Sequence, residues 1–119
     1  MRRIMIVDDS LYTRLILRDL LLSHGYSVVA EASSGRQALE LFDKAKPDAV
    51  IIDAAMPDMD GIATTRELKR EHPDAVVFLT ASQGERSAVV QALSAGAVDF
   101  IAKPYAPKRV IQTLRKSLG

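Results

Sequence analysis

The sequence predicts an α/β fold in which residues 1–119 form a single domain with a five-stranded parallel sheet covered by helices on both faces, in three layers. Short apolar runs alternate with longer amphipathic runs five times along the chain. Most of the apolar runs lack the alternation of a half-exposed strand, which favours strands that are buried on both sides. Glycine and proline stand where the helices are predicted to end or begin.

The five strands are predicted at the apolar runs. The third and fourth runs are apolar throughout and are expected to be central strands. The second run alternates and includes Glu31, as is typical of an edge strand with one wetter side. The predicted ranges are 4–7, 27–32, 49–52, 76–79 and 98–102.

The helices are predicted at 11–24, at 34–45 with Ser34 as its cap, at 61–71, at 85–95 and from Pro107 onward. Gly25 is expected to end the first helix in the left-handed conformation. Pro107 suits the first turn of the last helix, where no backbone donor is needed. Four residues of the first helix are expected to share its buried face: Ile16, Leu17, Leu20 and Leu21.

Composition excludes several classes of function. The chain has 16 basic and 15 acidic residues, and a net charge of +1 does not suggest binding to nucleic acid or to an acidic membrane. The absence of cysteine excludes disulfides, thiolate catalysis and zinc–thiolate sites. No apolar run approaches the length of a membrane span, which is about 18 residues. A soluble cytoplasmic protein is therefore expected.

Polar residues of chemical interest follow four of the predicted strands. Asp8 and Asp9 follow the first strand, Asp53 the third, Thr80 the fourth and Lys103 the fifth. Because the carboxyl ends of parallel strands share one edge, where ligands bind, these side chains are expected to meet there. A single acidic residue at such a place is commonly the N-cap of the next helix, and Asp9 taken alone would be interpreted so. The joint occurrence of these residues after different buried strands favours a ligand site instead.

Three carboxylates in one cleft repel each other and stay ionised at low cost only around a cation. Oxygen ligands without histidine or cysteine suit a hard ion, and Mg²⁺ is the common intracellular choice. The charge of Lys103 and the hydroxyl of Thr80 match the charge that develops on a transferred phosphoryl group. A carboxylate can itself be the nucleophile and form an acyl phosphate.

Taken together, these residues resemble the receiver domain of two-component response regulators, and CheY-like proteins in particular, over essentially the whole chain. The matching segments are 6–10, 52–53, 56–57, 60–61, 80–81, 95–97 and 100–104. The resemblance implies the strand order 2-1-3-4-5. CheY-like proteins are themselves examples of the strand-end rule, so the rule is not independent support for the family.

The resemblance also implies roles for single residues. It makes Asp53 the phosphoacceptor, and Asp9 and Asp53 direct Mg²⁺ ligands, with Asp8 acting largely through water and the backbone carbonyl of Ala55 as a further ligand. Thr80 and Lys103 would sense the phosphoryl group. Phe100 would be the aromatic switch residue, and the Lys103–Pro104 peptide would be cis.

The implied mechanism begins with a histidine kinase that offers a phosphohistidine. The new phosphate on Asp53 draws Thr80 toward it, and Phe100 moves inward. The face formed by the fourth helix, the fifth strand and the fifth helix then changes its affinity for a downstream protein, with chemotaxis as one candidate pathway. The protein is expected to be a monomeric switch rather than an enzyme. Ala55 and Ser82 flank the path of water to the phosphate and offer no group to orient it.

Three other classes of protein are compatible with parts of this pattern. An aspartate-nucleophile phosphohydrolase would need a second carboxylate two residues after Asp53, where Ala55 stands. A flavodoxin-like electron carrier would bind a phosphate after the first strand, where Asp8 and Asp9 would repel it. A third alternative is a receiver cut from a longer regulator with a DNA-binding output. His24 and His72 lie near helix ends, where capping is the expected role.

Overall fold

The computed structural model describes residues 1–82, 84 and 86–119. Its single sheet has five parallel strands in the order β2-β1-β3-β4-β5, which confirms the order implied by the resemblance and the edge position of the second strand. The strands are β1 Arg3–Val7, β2 Ser27–Ala32, β3 Ala49–Asp53, β4 Val77–Ser82 and β5 Asp99–Lys103. The central strand β3 is buried along its whole length.

The five described helices lie between and after the strands, close to their predicted ranges. They are α1 Leu11–Ser23, α2 Gly35–Ala45, α3 Gly61–Glu71, α4 Arg86–Ala95 and α5 Pro107–Leu118. The predicted start of the fourth helix, Glu85, lies outside the described residues. Gly25 follows α1 with φ +84°, and Pro107 begins α5, both as predicted.

Two apolar cores lie on opposite faces of the sheet. On one face, Leu17 and Leu21 of α1 and Leu114 of α5 pack with the β-strand residues Ile6 and Ile51, all 1% exposed or less. The other face carries α2, α3 and α4, which bury residues such as Phe42, Leu68 and Ala92. The chain is therefore a three-layer, doubly wound (βα)₅ fold, as predicted.

Two strand ranges and one buried position were predicted wrongly. β4 runs beyond Leu79 to Ser82, and β5 ends at Lys103, because Ala81 and Ser82 still pair with Ala102 and Lys103 of the neighbouring strand. Thr80 and Lys103 are therefore parts of strands rather than residues that follow them, and so is Asp53, the last residue of β3. Ile16 is 41% exposed, since the buried stripe of α1 centres on its neighbour Leu17 and leaves Ile16 at the border.

Serine side chains, and not Asp9, cap the N-termini of the first two helices. Ser10 caps α1 by accepting a hydrogen bond from the backbone N–H of Thr13 at 3.2 Å, so Asp9 is not the cap. The predicted cap Ser34 accepts in the same way from Gln37 at the start of α2. Both histidines are C-caps, as expected: His24 ends α1, and His72 ends α3.

The start of α3 lies directly against the end of β3. The backbone N–H of Gly61 donates to the carbonyl of Ala54 at 2.9 Å and closes the loop between the two elements. A Cβ atom on Gly61 would lie 2.2 Å from the carbonyl oxygen of Asp53 and 2.9 Å from Cα of Ala54. Since backbone atoms cannot give way as a flexible side chain can, only glycine fits there.

Replacing Gly61 with alanine should therefore lower the free energy of unfolding by about 1–3 kcal/mol or more, because the added methyl group overpacks a backbone contact. Urea unfolding measures this loss. Gly25→Ala is the control, because a Cβ there meets open space and only the positive φ is unfavourable. Gly61→Ala alone should also shift the amide NMR resonances of Asp53 and Thr80. A Gly61→Ala protein with wild-type stability would contradict the account.

Candidate functional site

The strand ends bring the predicted site residues to one edge of the sheet, on one face. Side chains along a strand alternate between faces, so a residue two positions after a core residue points to the same side. The apolar core beneath α1 and α5 is called the α1–α5 core. Each of four predicted residues stands two positions after a residue of this core: Asp8 after Ile6, Asp53 after Ile51, Thr80 after Phe78, and Lys103 after Ile101. The register also pairs Asp53 with Thr80 on the neighbouring strand.

Three carboxylates form the acidic part of the site. One oxygen from each of Asp8, Asp9 and Asp53 lies within 4.8 Å of the others. Asp8 and Asp53 are only 3% and 8% exposed, whereas Asp9 is exposed and faces solvent. Such a set of oxygen ligands fits a hard divalent cation that keeps part of its water shell.

Lys103 supplies the positive charge of the site. Its Nζ lies 3.1 Å from Oδ1 of Asp53 and 3.2 Å from Oδ2 of Asp8. Through these two contacts the last residue of β5 links the last residue of β3 to the residue that follows β1. One ammonium group does not balance three carboxylates, so the cluster retains an excess of negative charge that a cation would neutralise. The Lys103–Pro104 peptide is cis, as the resemblance implied.

Burial and charge act against each other on the two central groups. Burial raises the pKa of Asp53 above its ordinary value, the hydrogen bond and charge of Lys103 lower it, and the charge of Asp8 raises it again; the net shift is upward. Burial lowers the pKa of Lys103, but the charges of Tyr105, Asp53 and Asp8 and the hydrogen bond to Asp53 outweigh it, so this pKa is raised. Lys103 is therefore charged at neutral pH.

Thr80 presents a buried hydroxyl beside Asp53. The residue is 1% exposed, and its Oγ1 has no hydrogen bond of standard geometry within the described part of the chain. It lies near the phenol of Tyr105, whose pKa rises to about 12 chiefly because the phenol is buried, although Lys103 and the Thr80 hydroxyl both lower it. An unsatisfied buried hydroxyl is uncommon and costs about 1–3 kcal/mol. The Thr80 hydroxyl could therefore donate a hydrogen bond to an oxygen atom of a bound ligand.

Tyr105 was missed by the sequence reasoning. It belongs to the loop between β5 and α5 and packs against the α1–α5 core. Its position directly after Lys103–Pro104 was the available signal, since an aromatic residue that follows a strand-end lysine lies near the same edge.

Phe100 lies on β5 but on the other face from Thr80. It pairs with Leu79, whereas Thr80 pairs with Ile101. Its side chain is 42% exposed and borders a groove of about 610 Å³. Besides Phe100, residues that line this groove include Val89, Val90, Ala102, Lys103 and Arg109, from α4, β5 and α5. The groove therefore joins the acidic site, through Lys103, to an exposed apolar surface.

Ala55 and Ser82 lie on the open side of the site. Both are exposed. The backbone N–H of Ala55 lies near the carboxylate of Asp53 and lowers its pKa slightly, as the least of the contributions. Ala55 carries no acid–base group in the position where a hydrolase would need one.

Within the described ranges, no helix has both the length and the apolar character needed to cross a membrane.

Residues 4–115 match the response regulator receiver domain family. The chain is 41% identical over 117 residues to the chemotaxis protein CheY of Bacillus subtilis, covering 98% of both chains. It is 40% identical over 115 residues to the chemotaxis protein CheY of Thermotoga maritima, covering 97% of this chain and 96% of the relative.

A solved structure has the same fold. The two-component response regulator of the LuxR family from Aurantimonas sp. SI85-9A1 superposes with a TM-score of 0.91 at 30% sequence identity. The match covers 98% of this chain and 84% of that chain.

The raised pKa of Asp53 predicts a pH-dependent effect of Asp53→Asn in the metal-free protein. The fold favours the neutral carboxyl, so stability is lost as pH rises through the folded pKa, which lies above the ordinary value of 3.8. Asparagine stays neutral, and the variant should be more stable than the wild type at pH about 7.5, with a gain that shrinks toward pH about 4. Urea unfolding in EDTA measures this gain, with Asp19→Asn as an exposed control. A gain that grows as pH falls would contradict the assignment.

Proposed function

Because the chain belongs to the response regulator receiver family, we propose that Asp53 accepts a phosphoryl group at an Mg²⁺ site made by Asp8, Asp9, Asp53 and the backbone carbonyl of Ala55. The observation that carries the proposal is the cluster of three carboxylate oxygens within 4.8 Å, bridged at Asp8 and Asp53 by Lys103. The hydroxyl of Thr80, at the strand position paired with Asp53, adds a hydrogen-bond donor beside the carboxylate that would carry the phosphoryl group.

The transfer uses few protein groups. One carboxylate oxygen of Asp53 attacks the phosphorus of a phosphohistidine; the new P–O bond forms as the P–N bond breaks, and the imidazole nitrogen keeps the electron pair. When bound, Mg²⁺ supplies positive charge against the phosphoryl oxygens and the three carboxylates. Lys103 exchanges its contact with Asp53 for one with a phosphoryl oxygen, and its raised pKa keeps it charged.

The phosphodonor follows from the family. Receiver domains take their phosphoryl group from a histidine kinase and act on a downstream protein. The CheY names of the two relatives favour chemotaxis as the pathway of this chain. The switch is a cytoplasmic monomer, and residues 1–119 form one receiver domain.

The site is a phosphate store rather than the centre of a multiple-turnover hydrolase. A phosphohydrolase of the aspartate-nucleophile type needs a carboxylate two residues after the nucleophile to protonate the leaving group. Ala55 occupies that position and offers no such group. The protein then assists only its own phosphorylation and dephosphorylation.

The readout passes from Thr80 to the surface of α4, β5 and α5. The Thr80 hydroxyl turns to the phosphate and leaves the space near Tyr105, and Phe100 turns inward from its exposed position on β5. The groove beside Phe100 changes shape, and so does the affinity of this face for a downstream protein. A receiver within a longer regulator with a DNA-binding output would use the same steps.

Incubation with radiolabelled acetyl phosphate and Mg²⁺ tests the phosphoacceptor. The wild type should be labelled, and EDTA should abolish the labelling. Asp53→Asn should reduce it to background because the amide is not a nucleophile. Asp19→Asn is the matched control, an exposed aspartate on α1 whose loss should change nothing. Equal labelling of Asp53→Asn and the wild type would overturn the assignment.

The readout is tested by NMR with Mg²⁺ and beryllofluoride, a mimic of the phosphoryl group. In the wild type, amide shifts should extend from Asp53 to residues of α4 and β5, because the phosphoryl group selects one of two states. In Thr80→Ala the shifts should stay near Asp53, since the hydroxyl that carries the change is gone. Thr113→Ala, which removes a hydroxyl on α5 that bonds within its own helix, is the control. Shifts of equal extent in Thr80→Ala would contradict this route.

A further inference from the structure

Arg14 on α1 reaches back to the acidic site without touching a carboxylate of it. Its Nη1 donates to the backbone carbonyl of Asp8 at 2.6 Å. The side chain of Arg14 is 14% exposed, so the contact is shielded from water. A charge-assisted hydrogen bond of this length is strong and directional.

The carbonyl of Asp8 belongs to the peptide group that continues into Asp9. A peptide group is planar, so a fixed carbonyl oxygen also fixes the nitrogen and Cα of the next residue. Other contacts hold Asp8 itself: its N–H donates to the carbonyl of Ala32 at 3.0 Å, and its Oδ1 accepts from the N–H of Ser10 at 2.9 Å. Asp9 is the exposed member of the cluster, and the bond from Arg14 orients the peptide that carries it.

Arg14 is held in turn by β2. Its Nε lies 3.3 Å from Oε1 of Glu31, within ion-pair distance although the pair is not aligned as a hydrogen bond. Glu31 is also paired with Arg18 through a contact of 2.8 Å. Arg18 is more exposed, at 39%, and no contact with Asp8 is described for it. The two arginines share an anchor, but only Arg14 is joined to the acidic segment.

We propose that Arg14 is a positioning residue that orients the Asp8–Asp9 peptide for cation binding, with Glu31 as its anchor. This inference rests on the proposed Mg²⁺ site. Arg14 holds the backbone of Asp9 in position before the cation arrives. Less conformational entropy is then lost when the cation binds. Residues that orient ligands from behind typically change metal affinity about 10–100-fold when they are replaced.

Calorimetric titration of Mg²⁺ tests the role directly. Arg14→Gln should raise the dissociation constant for Mg²⁺ about tenfold, which means weaker binding. Arg14→Lys should recover part of the loss, because lysine can donate to the same carbonyl. Arg18→Gln is the matched control: it removes an ion pair with the same glutamate and should change the constant less than about twofold. Arg14→Gln with wild-type Mg²⁺ affinity, or Arg18→Gln with an equal loss, would overturn the proposal.

Kinetics separate positioning from loss of structure. In labelling with acetyl phosphate, Arg14→Gln should need more Mg²⁺ for half-maximal rate but approach the wild-type rate at saturation. A variant that had only lost folded protein would show a lower rate at every Mg²⁺ concentration, and that result would overturn the positioning role.

A metal-free observation completes the test. The amide resonance of Asp9 should move in Arg14→Gln before any Mg²⁺ is added, and an unmoved resonance would count against the proposal. If the wild type itself bound no Mg²⁺, the proposed function would fail. If the wild type bound Mg²⁺ and Arg14→Gln bound it equally, only the role of Arg14 would fail.

Discussion

The mutual repulsion of Asp8, Asp9 and Asp53 is the constraint on which the arrangement of this edge of the molecule depends. Their oxygens lie within 4.8 Å of one another, and two of the three residues are buried, where water cannot screen them. Lys103 relieves part of this repulsion through its contacts with Asp8 and Asp53. The excess negative charge favours a cation at this edge, and in the proposed function a bound cation would in turn attract the negatively charged oxygens of a phosphoryl group.

The fold imposes this proximity. Parallel strands end at one edge, and their side chains repeat every two residues, so the residue that follows Ile51 by two positions must share a face with the one that follows Ile101. Apolar packing of α1 and α5 on that same face holds the strands in place next to the site. The close contact between Gly61 and Asp53 fixes the loop that follows. Stability of the core and geometry of the site are thus coupled through the same strands.

The resemblance to receiver domains implied the strand order, which the hydrophobic pattern alone left open among a few topologies. The pattern itself predicted the edge position of β2, and the parallel sheet predicted that the strand-end residues meet. The sequence could not predict where β4 and β5 end: Thr80 to Ser82 are less apolar, and they stay in the strand only because a neighbour pairs with them. Arg14 and Tyr105 were missed for a related reason. The contact of Arg14 with Asp8 depends on how α1 packs against the end of β1, which no local pattern indicates. The position of Tyr105 directly after Lys103–Pro104 indicates the right edge of the sheet, but its place near Thr80 depends on the path of the loop after β5.

The central claim is that Asp53 carries the phosphoryl group, and chemical mapping tests it most directly. The protein is treated with acetyl phosphate and Mg²⁺, then reduced with borohydride, which converts an aspartyl phosphate to homoserine, and the peptides are analysed by mass spectrometry. The account predicts homoserine at position 53 and aspartate at positions 8 and 9. Homoserine at either of those two positions, or at none of the three, would contradict it.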